Sequence, residues 1–204
     1  MVFIPILISG SYLAIDMPII MLSFIVFPAF MTDIFYYEKK TSAYRFFVSL
    51  PINEKTIVQS RYLFFLFCLL IMTLYQWLTV YSIERFIGGT DYIYTWKTAL
   101  VAFGLGLTIA SVILPFFYLL RSVYIAICMM LIIILIFLVA SLEPLVTALN
   151  MTDYISFNHV DRGYIILAEK YLPYAPFLLF LIVSCVLYYF SSELSTRFFV
   201  RKDK

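Results

Sequence analysis

The chain alternates between long uncharged apolar runs and short polar segments. Four runs are long enough to cross about 30 Å of hydrocarbon as α-helices. Near the N-terminus, two shorter runs flank Asp16, which predicts a hairpin with Asp16 in its turn, beside Gly10 and Pro18. A single long helix with a charge at its middle is the alternative. The pattern predicts six transmembrane helices, at about residues 2–15, 17–36, 54–83, 97–120, 122–142 and 171–192.

The composition indicates that lipid is the solvent of these helices. Hydrophobic residues make up 64% of the chain and charged residues 13%, whereas soluble domains have about 45–50% and about 25%. A soluble protein this apolar would lack a polar surface, so the predicted fold class is an all-α polytopic membrane protein. Because no Lys or Arg precedes Lys39, the first run lacks the basic start of a cleaved signal peptide and is expected to be retained.

The basic residues are distributed unevenly over the predicted loops. Most of the 14 Lys and Arg residues fall in segment 33–61, at Arg121 and in the tail 193–204. An excess of Lys and Arg marks the cytoplasmic side, so both termini are predicted to be cytoplasmic. The long outer loop 143–170 is expected to form a cap or a re-entrant segment. A net charge of +2 is too small to indicate nucleic-acid binding.

The segment between the second and third predicted spans has a helical pattern of its own. It predicts an amphipathic helix at about residues 38–50, which ends before Pro51 because the residue preceding a proline is disfavoured in helical conformation. Asn53 is a suitable N-cap for the next helix. The aromatic face could lie among lipid headgroups or dock onto a soluble partner. The polar face holds Glu38, Thr41, Ser42, Arg45 and Ser49, and the opposite face holds Ala43, Phe46, Phe47 and Leu50.

The same segment carries a recognisable run of residues. An acidic and basic start at 37–40 leads to Ser-Leu-Pro-Ile-Asn at 49–53, and Thr-Ile-Val at 56–58 with Ser-Arg-Tyr-Leu at 60–63 opens the next span. The run resembles the signature of small bacterial ABC-2-type transporter permeases, which also have six spans. Arg61 stands where that family usually has a lysine. A more specific resemblance is to the permeases of the staphylococcal exporter of phenol-soluble modulins.

The resemblance implies a permease in the bacterial cytoplasmic membrane that pairs with a second permease subunit, like or unlike. Each permease would dock a cytoplasmic ABC ATPase through the helix after the second span. ATP and Mg²⁺ would be bound by the ATPase, and this chain would hold no cofactor. The substrate would be hydrophobic or amphipathic: a peptide, a toxin or a lipid-like molecule. The implied docking and coupling residues are Glu38, Lys39, Arg45, Phe46, Phe47, Leu50 and Pro51.

Two further sequence features bear on function. No glycine is followed by lysine, so the chain has no Walker A loop, and ATP would have to be handled by another chain. Ala102, Gly106 and Ala110 recur at a spacing of four in the fourth predicted span. Small residues at this spacing let helices approach closely, either within the chain or at a dimer seam.

Two other classes of function stay open. A non-transporting membrane protein, such as an immunity or assembly factor, would have no ATPase partner. A membrane-embedded enzyme would need a nucleophile with a base, or metal ligands. The single histidine, His159, lies near Asp153 and Asp161 in the outer loop, but the spacing of a metal site is absent. We therefore predict neither catalytic nor metal-binding residues.

Overall fold

The computed structural model describes residues 21–41, 53–87, 96–120, 122–149 and 176–202. All regular structure in these ranges is helical. A π-helical stretch at Met21–Val26 leads directly into the first α-helix. The α-helices are α1 (Phe27–Lys40), α2 (Glu54–Ile87), α3 (Trp96–Leu119), α4 (Val123–Leu149) and α5 (Pro176–Lys202).

Three segments of the described helices are long and apolar enough to cross a membrane. They are Lys55–Thr79 in α2, Trp96–Leu119 in α3 and Phe177–Val200 in α5. A shorter apolar stretch, Val123–Val139, lies in α4. The predicted all-helical, membrane-spanning class is confirmed for the described ranges. The predicted spans at 17–36 and 122–142 are not among these three segments. The predicted span at 2–15 lies outside the described residues, so the number of six spans stays a prediction.

The start of α2 follows the sequence prediction. The side-chain Oδ1 of Asn53 accepts a hydrogen bond from the backbone N–H of Lys55 at 3.2 Å. The Asn53 carbonyl accepts a second one from the N–H of Thr56 at 2.8 Å. Because the first N–H groups of a helix have no partner within it, this cap stabilises the first turn. Asn53 is thus the N-cap of α2.

The end of α1 differs from the prediction. Glu38 and Lys39 lie in the last turn of α1 and not in a separate helix that begins near residue 38. The helix ends at Thr41, whose Oγ1 and backbone N–H both donate to the carbonyl of Tyr37, at 2.8 and 2.9 Å. The rest of the predicted amphipathic helix, residues 42–50, lies outside the described residues.

Two later helices are longer than predicted. α4 continues to Leu149, into the segment expected to begin the outer loop. α5 continues to Lys202, beyond the predicted end at residue 192. Ser195 and Thr196, in the segment predicted as a cytoplasmic tail, are buried, and the Ser195 hydroxyl lies 2.6 Å from that of Tyr62 in α2. Their packing explains why the helix persists.

α3 is the central helix of the described bundle, and most of its side chains are buried. It packs most extensively on α5, with α2 on another side. A Cβ added to Gly104 would lie 2.5 Å from Cε1 of Phe180 in α5, and one added to Gly106 would lie 2.8 Å from Cδ1 of Leu69 in α2. Glycine at these two positions therefore permits both close contacts.

The π-helical stretch and α1 join α3 and α4 through aromatic and polar contacts. The rings of Phe35 and Phe117 stack at 4.5 Å between centroids. The hydroxyl of Ser23 donates to the carbonyl of Ala102 at 2.9 Å. The faces of α2, α4 and α5 that point away from the bundle expose many large apolar side chains. This surface suits contact with lipid.

Candidate functional site

A largely buried ion pair lies where α1 ends and α2 begins. Nη2 of Arg61 in α2 is 3.0 Å from Oε2 of Glu38 in α1, and the two side chains are only 14% and 23% exposed. The chain between the two helices, residues 42–52, carries five of the seven predicted docking residues. The ion pair thus joins the helices on either side of that segment.

Arg61 also contacts α3. Its guanidinium carbon lies 5.9 Å from the ring centroid of Tyr118, a distance at which a cation is attracted to the aromatic face. The Tyr118 ring contacts Phe35 of α1 and Phe199 of α5 at 5.7 and 6.0 Å. We call Glu38, Arg61 and Tyr118 the clamp. It connects α1, α2 and α3 directly and reaches α5 through Phe199.

The clamp carboxyl titrates away from its ordinary range. Burial raises the pKa of Glu38 above its ordinary value of 4.5, and the positive charge of Arg61 opposes this shift without cancelling it. The cause is the loss of water around the carboxylate, which penalises its charged form. Glu38 therefore takes up a proton at a higher pH than an ordinary glutamate does.

A second ion pair ties the first turn of α2 to α5. Nζ of Lys55 is 2.7 Å from Oε1 of Glu193, with side-chain exposures of 46% and 31%. Nε2 of Gln59 donates to the same carboxylate oxygen at 3.5 Å. Exposed pairs of this kind contribute little to stability because water and salt screen them. The Lys55–Glu193 pair therefore adds little to the stability of the contact between α2 and α5.

Next to Arg61, Tyr62 is the centre of a buried cluster of hydroxyl groups. Its oxygen lies 2.8 Å from Oγ of Ser191 and 2.6 Å from Oγ of Ser195, both in α5. The hydroxyl of Tyr188 donates to the Tyr62 carbonyl at 2.7 Å, and that of Ser191 donates to the Ser111 carbonyl in α3 at 2.6 Å. We call these five residues the hydroxyl node. It joins α2, α3 and α5.

An apolar groove of about 410 Å³ lies between α2, α3 and α5. Its walls include Trp77, Trp96, Phe103 and Leu181, and Thr73 supplies a hydroxyl. That hydroxyl is already bonded to the carbonyl of Leu69. The groove therefore presents an almost entirely carbon surface.

The structure places the predicted site residues in three groups. Glu38 belongs to the clamp, and Lys39 lies beside it with an exposed side chain. Ala102, Gly106 and Ala110 are buried within this chain, with Gly106 against Leu69. The remaining predicted docking residues, Arg45, Phe46, Phe47, Leu50 and Pro51, lie outside the described residues.

The sequence reasoning missed the hydroxyl node and the part played by Arg61. One signal was present, because Ser184, Tyr188, Ser191 and Ser195 recur on one face of an otherwise apolar helix. Ser184 bonds Thr108 of α3 at 3.0 Å, so the whole stripe faces the bundle.

Among the described residues, no group of three or more His, Cys, Asp and Glu side chains could hold a metal ion. His159 lies outside the described ranges. The clamp and the node consist of helix-to-helix bonds. This arrangement is suited to transmitting movement between helices.

One comparison with known proteins identifies a family. A family model described as "ABC-2 family transporter protein" matches residues 1–200, almost the whole chain. No curated protein and no solved structure matches the chain.

Proposed function

This chain belongs to the ABC-2 family of transporter proteins, and from that premise we propose that it is the transmembrane subunit of an ATP-driven exporter. A cytoplasmic ABC ATPase binds the segment between α1 and α2 and supplies the ATP and Mg²⁺ sites. A second permease subunit, like or unlike, completes the translocation path. Both termini of the chain lie on the cytoplasmic side of a bacterial cytoplasmic membrane.

The observation that carries this proposal is the clamp. The segment 42–52 leaves α1 after Thr41 and enters α2 at Asn53, and the Glu38–Arg61 pair joins the two helices at 3.0 Å. A force applied to this segment is therefore shared by α1 and α2. Contact between Arg61 and Tyr118 extends the same connection to α3.

The proposed substrate is hydrophobic or amphipathic, such as a peptide, a toxin or a lipid-like molecule. The groove between α2, α3 and α5 supports this class because its walls are almost entirely apolar. A site for a charged solute would need buried charges or polar groups left available for binding. Export as the direction of transport follows from the resemblance to ABC-2 exporters.

The test is purification of the tagged, full-length chain from its native membrane in mild detergent, with identification of bound subunits by mass spectrometry. One variant combines Phe46→Ala and Phe47→Ala. The matched control combines Phe64→Ala and Phe67→Ala, two aromatic residues of α2 that are about half exposed on the bundle surface. Each variant removes two phenylalanine rings.

We expect an ABC ATPase with a Walker A sequence to purify with the unmodified chain and with the control. The same ATPase should be lost from the Phe46 and Phe47 variant. Equal recovery with both variants would contradict docking through this segment. Recovery of the unmodified chain with no ATPase would overturn the exporter proposal and favour an immunity or assembly role.

A further inference from the structure

Tyr62 is a deeply buried polar connection between α2 and α5. Its side chain is 3% exposed, and its oxygen lies within hydrogen-bonding distance of three oxygens of α5. Two are the hydroxyls of Ser191 and Ser195, at 2.8 and 2.6 Å, and the third is the Ser191 carbonyl at 3.1 Å. One hydroxyl thus engages two successive turns of α5.

A second hydrogen bond joins the same two helices, with its donor on α5. The Tyr188 hydroxyl of α5 donates to the Tyr62 carbonyl at 2.7 Å, and the two rings lie 5.0 Å apart. Both tyrosines are buried, so no water replaces a broken bond there and a displaced hydroxyl loses its partner. Relative sliding of α2 and α5 is therefore opposed at this point.

The node continues to the central helix. The Ser191 hydroxyl donates to the Ser111 carbonyl of α3 at 2.6 Å. A second polar link between α2 and α5, the Lys55–Glu193 pair, is much more exposed, and water can replace it. Tyr62 is also the immediate neighbour of Arg61, which belongs to the clamp.

We propose that Tyr62 is a positioning residue that passes movement of α2 to α5. This inference rests on the proposed function, because the movement begins when the ATPase acts on segment 42–52. The clamp receives that movement at Arg61. Tyr62, on the same turn of α2, is hydrogen-bonded to Ser191 and Ser195, so that α5 moves together with α2.

The experiment uses two versions of the chain, each with a single spin label, in the complete complex in phospholipid vesicles. One label reports on α5 and the other on α2. The α5 reporter is the native Cys185, which is exposed, in a chain carrying Cys68→Ala and Cys128→Ala. The α2 reporter is Leu63→Cys, at a position 59% exposed, in a chain with all three native cysteines replaced by alanine. Spectra are recorded before and after trapping with ATP and vanadate.

The variants are Tyr62→Phe, which removes only the hydroxyl, and the milder Ser195→Ala. The matched control is Tyr75→Phe on the exposed side of the same helix. In the unmodified chain and the control, both reporters should change on trapping. In Tyr62→Phe the α2 reporter should still change, while the change at the α5 reporter is lost. In Ser195→Ala the change at the α5 reporter should be smaller than in the unmodified chain.

Thermal unfolding and ATPase recovery are measured for each variant, so that misfolding is recognised separately from loss of transmission. An α5 response in Tyr62→Phe equal to that of the unmodified chain would overturn this inference alone. An unmodified chain whose α2 reporter does not respond to trapping would overturn the proposed function and this inference with it.

Discussion

Arg61 and Tyr62 are adjacent on α2, and their side chains bond different helices. Arg61 pairs with Glu38 of α1, whereas Tyr62 bonds Ser191 and Ser195 of α5. Successive residues of an α-helix point about 100° apart, so one turn of α2 can engage two neighbours at once. This turn is the meeting point of the clamp and the hydroxyl node.

Loss of the clamp cation should destabilise the protein. Arg61→Ala leaves the largely buried Glu38 carboxylate without its ion-pair partner, and we expect a loss of about 1–3 kcal/mol, because a fully buried pair would cost more. Arg61→Lys keeps the charge but loses the planar contact with Tyr118, at a cost of about 0.5–1 kcal/mol. Reversible unfolding in detergent measures both. Equal losses would contradict the contribution of the ion pair, and no loss on Arg61→Lys would contradict that of the contact with Tyr118.

The stability of the clamp should depend on pH with a defined sign. The pKa of Glu38 is raised above 4.5 by burial, so the folded protein takes up this proton at a higher pH than the unfolded chain. The stabilisation from protonation is complete below pH 4.5 and is lost as the pH rises through the folded-state pKa. Unfolding free energies of the unmodified chain and Glu38→Gln, compared across this range, should show this difference shrinking with rising pH.

The control for this pH dependence is Arg61→Ala. Removing the positive charge should raise the pKa of Glu38 further, so the stability difference between chains with Glu38 and with Gln at position 38 should persist to higher pH in the Arg61→Ala background. A pH-independent difference in both backgrounds would mean that folding does not change the pKa of Glu38.

The two central glycines should differ in their tolerance of alanine. A Cβ at Gly104 meets the rigid ring of Phe180 at 2.5 Å, whereas one at Gly106 meets the flexible end of Leu69 at 2.8 Å. Overpacking costs about 1–3 kcal/mol, and we expect Gly104→Ala to lie at the upper end and Gly106→Ala at the lower. Adding Phe180→Leu should restore part of the loss in Gly104→Ala. A failure of this rescue would contradict the contact as its cause.

Local signals predicted the first residues of α2, α3 and α4 to within one position. The cap at Asn53 was visible because capping depends on neighbouring residues, and its hydrogen bond to Lys55 is present. The end of α5 was missed because the charged segment 193–204 was interpreted as a cytoplasmic tail. Ser195 finds its partner in Tyr62, at a sequence separation of 133 residues. No local pattern reveals a contact of that range.

Only Glu38 of the clamp was predicted as a site residue, because the other contacts of the clamp also join residues far apart in the sequence. Glu38 was identified from the resemblance, while Arg61 entered only as a departure from the usual lysine. Their pairing depends on α1 and α2 lying side by side, and periodicity along one helix does not specify its neighbour. The stripe of small residues had the same ambiguity, and the contact of Gly106 with Leu69 is within this chain.

The exposed Lys55–Glu193 pair should matter much less than the clamp. Lys55→Gln removes a contact that water and salt already weaken, so its effect on unfolding should be smaller than that of Arg61→Ala and should vanish at high ionic strength. Unfolding of both variants at low and high salt measures this contrast. A salt-independent loss on Lys55→Gln would show that the pair is shielded from water.

The two ends of the bundle should lie on opposite sides of the membrane. α1 ends in Lys39 and Lys40, so its end at Thr41 is expected in the cytoplasm, where basic residues accumulate. α2 then crosses the bilayer, which places Trp96, the first residue of α3, outside. In a cysteine-free chain, an impermeant maleimide applied to intact cells should label Trp96→Cys, and Thr41→Cys only after permeabilisation. The reverse pattern would invert the orientation, and labelling of both positions in intact cells would contradict a membrane crossing by α2.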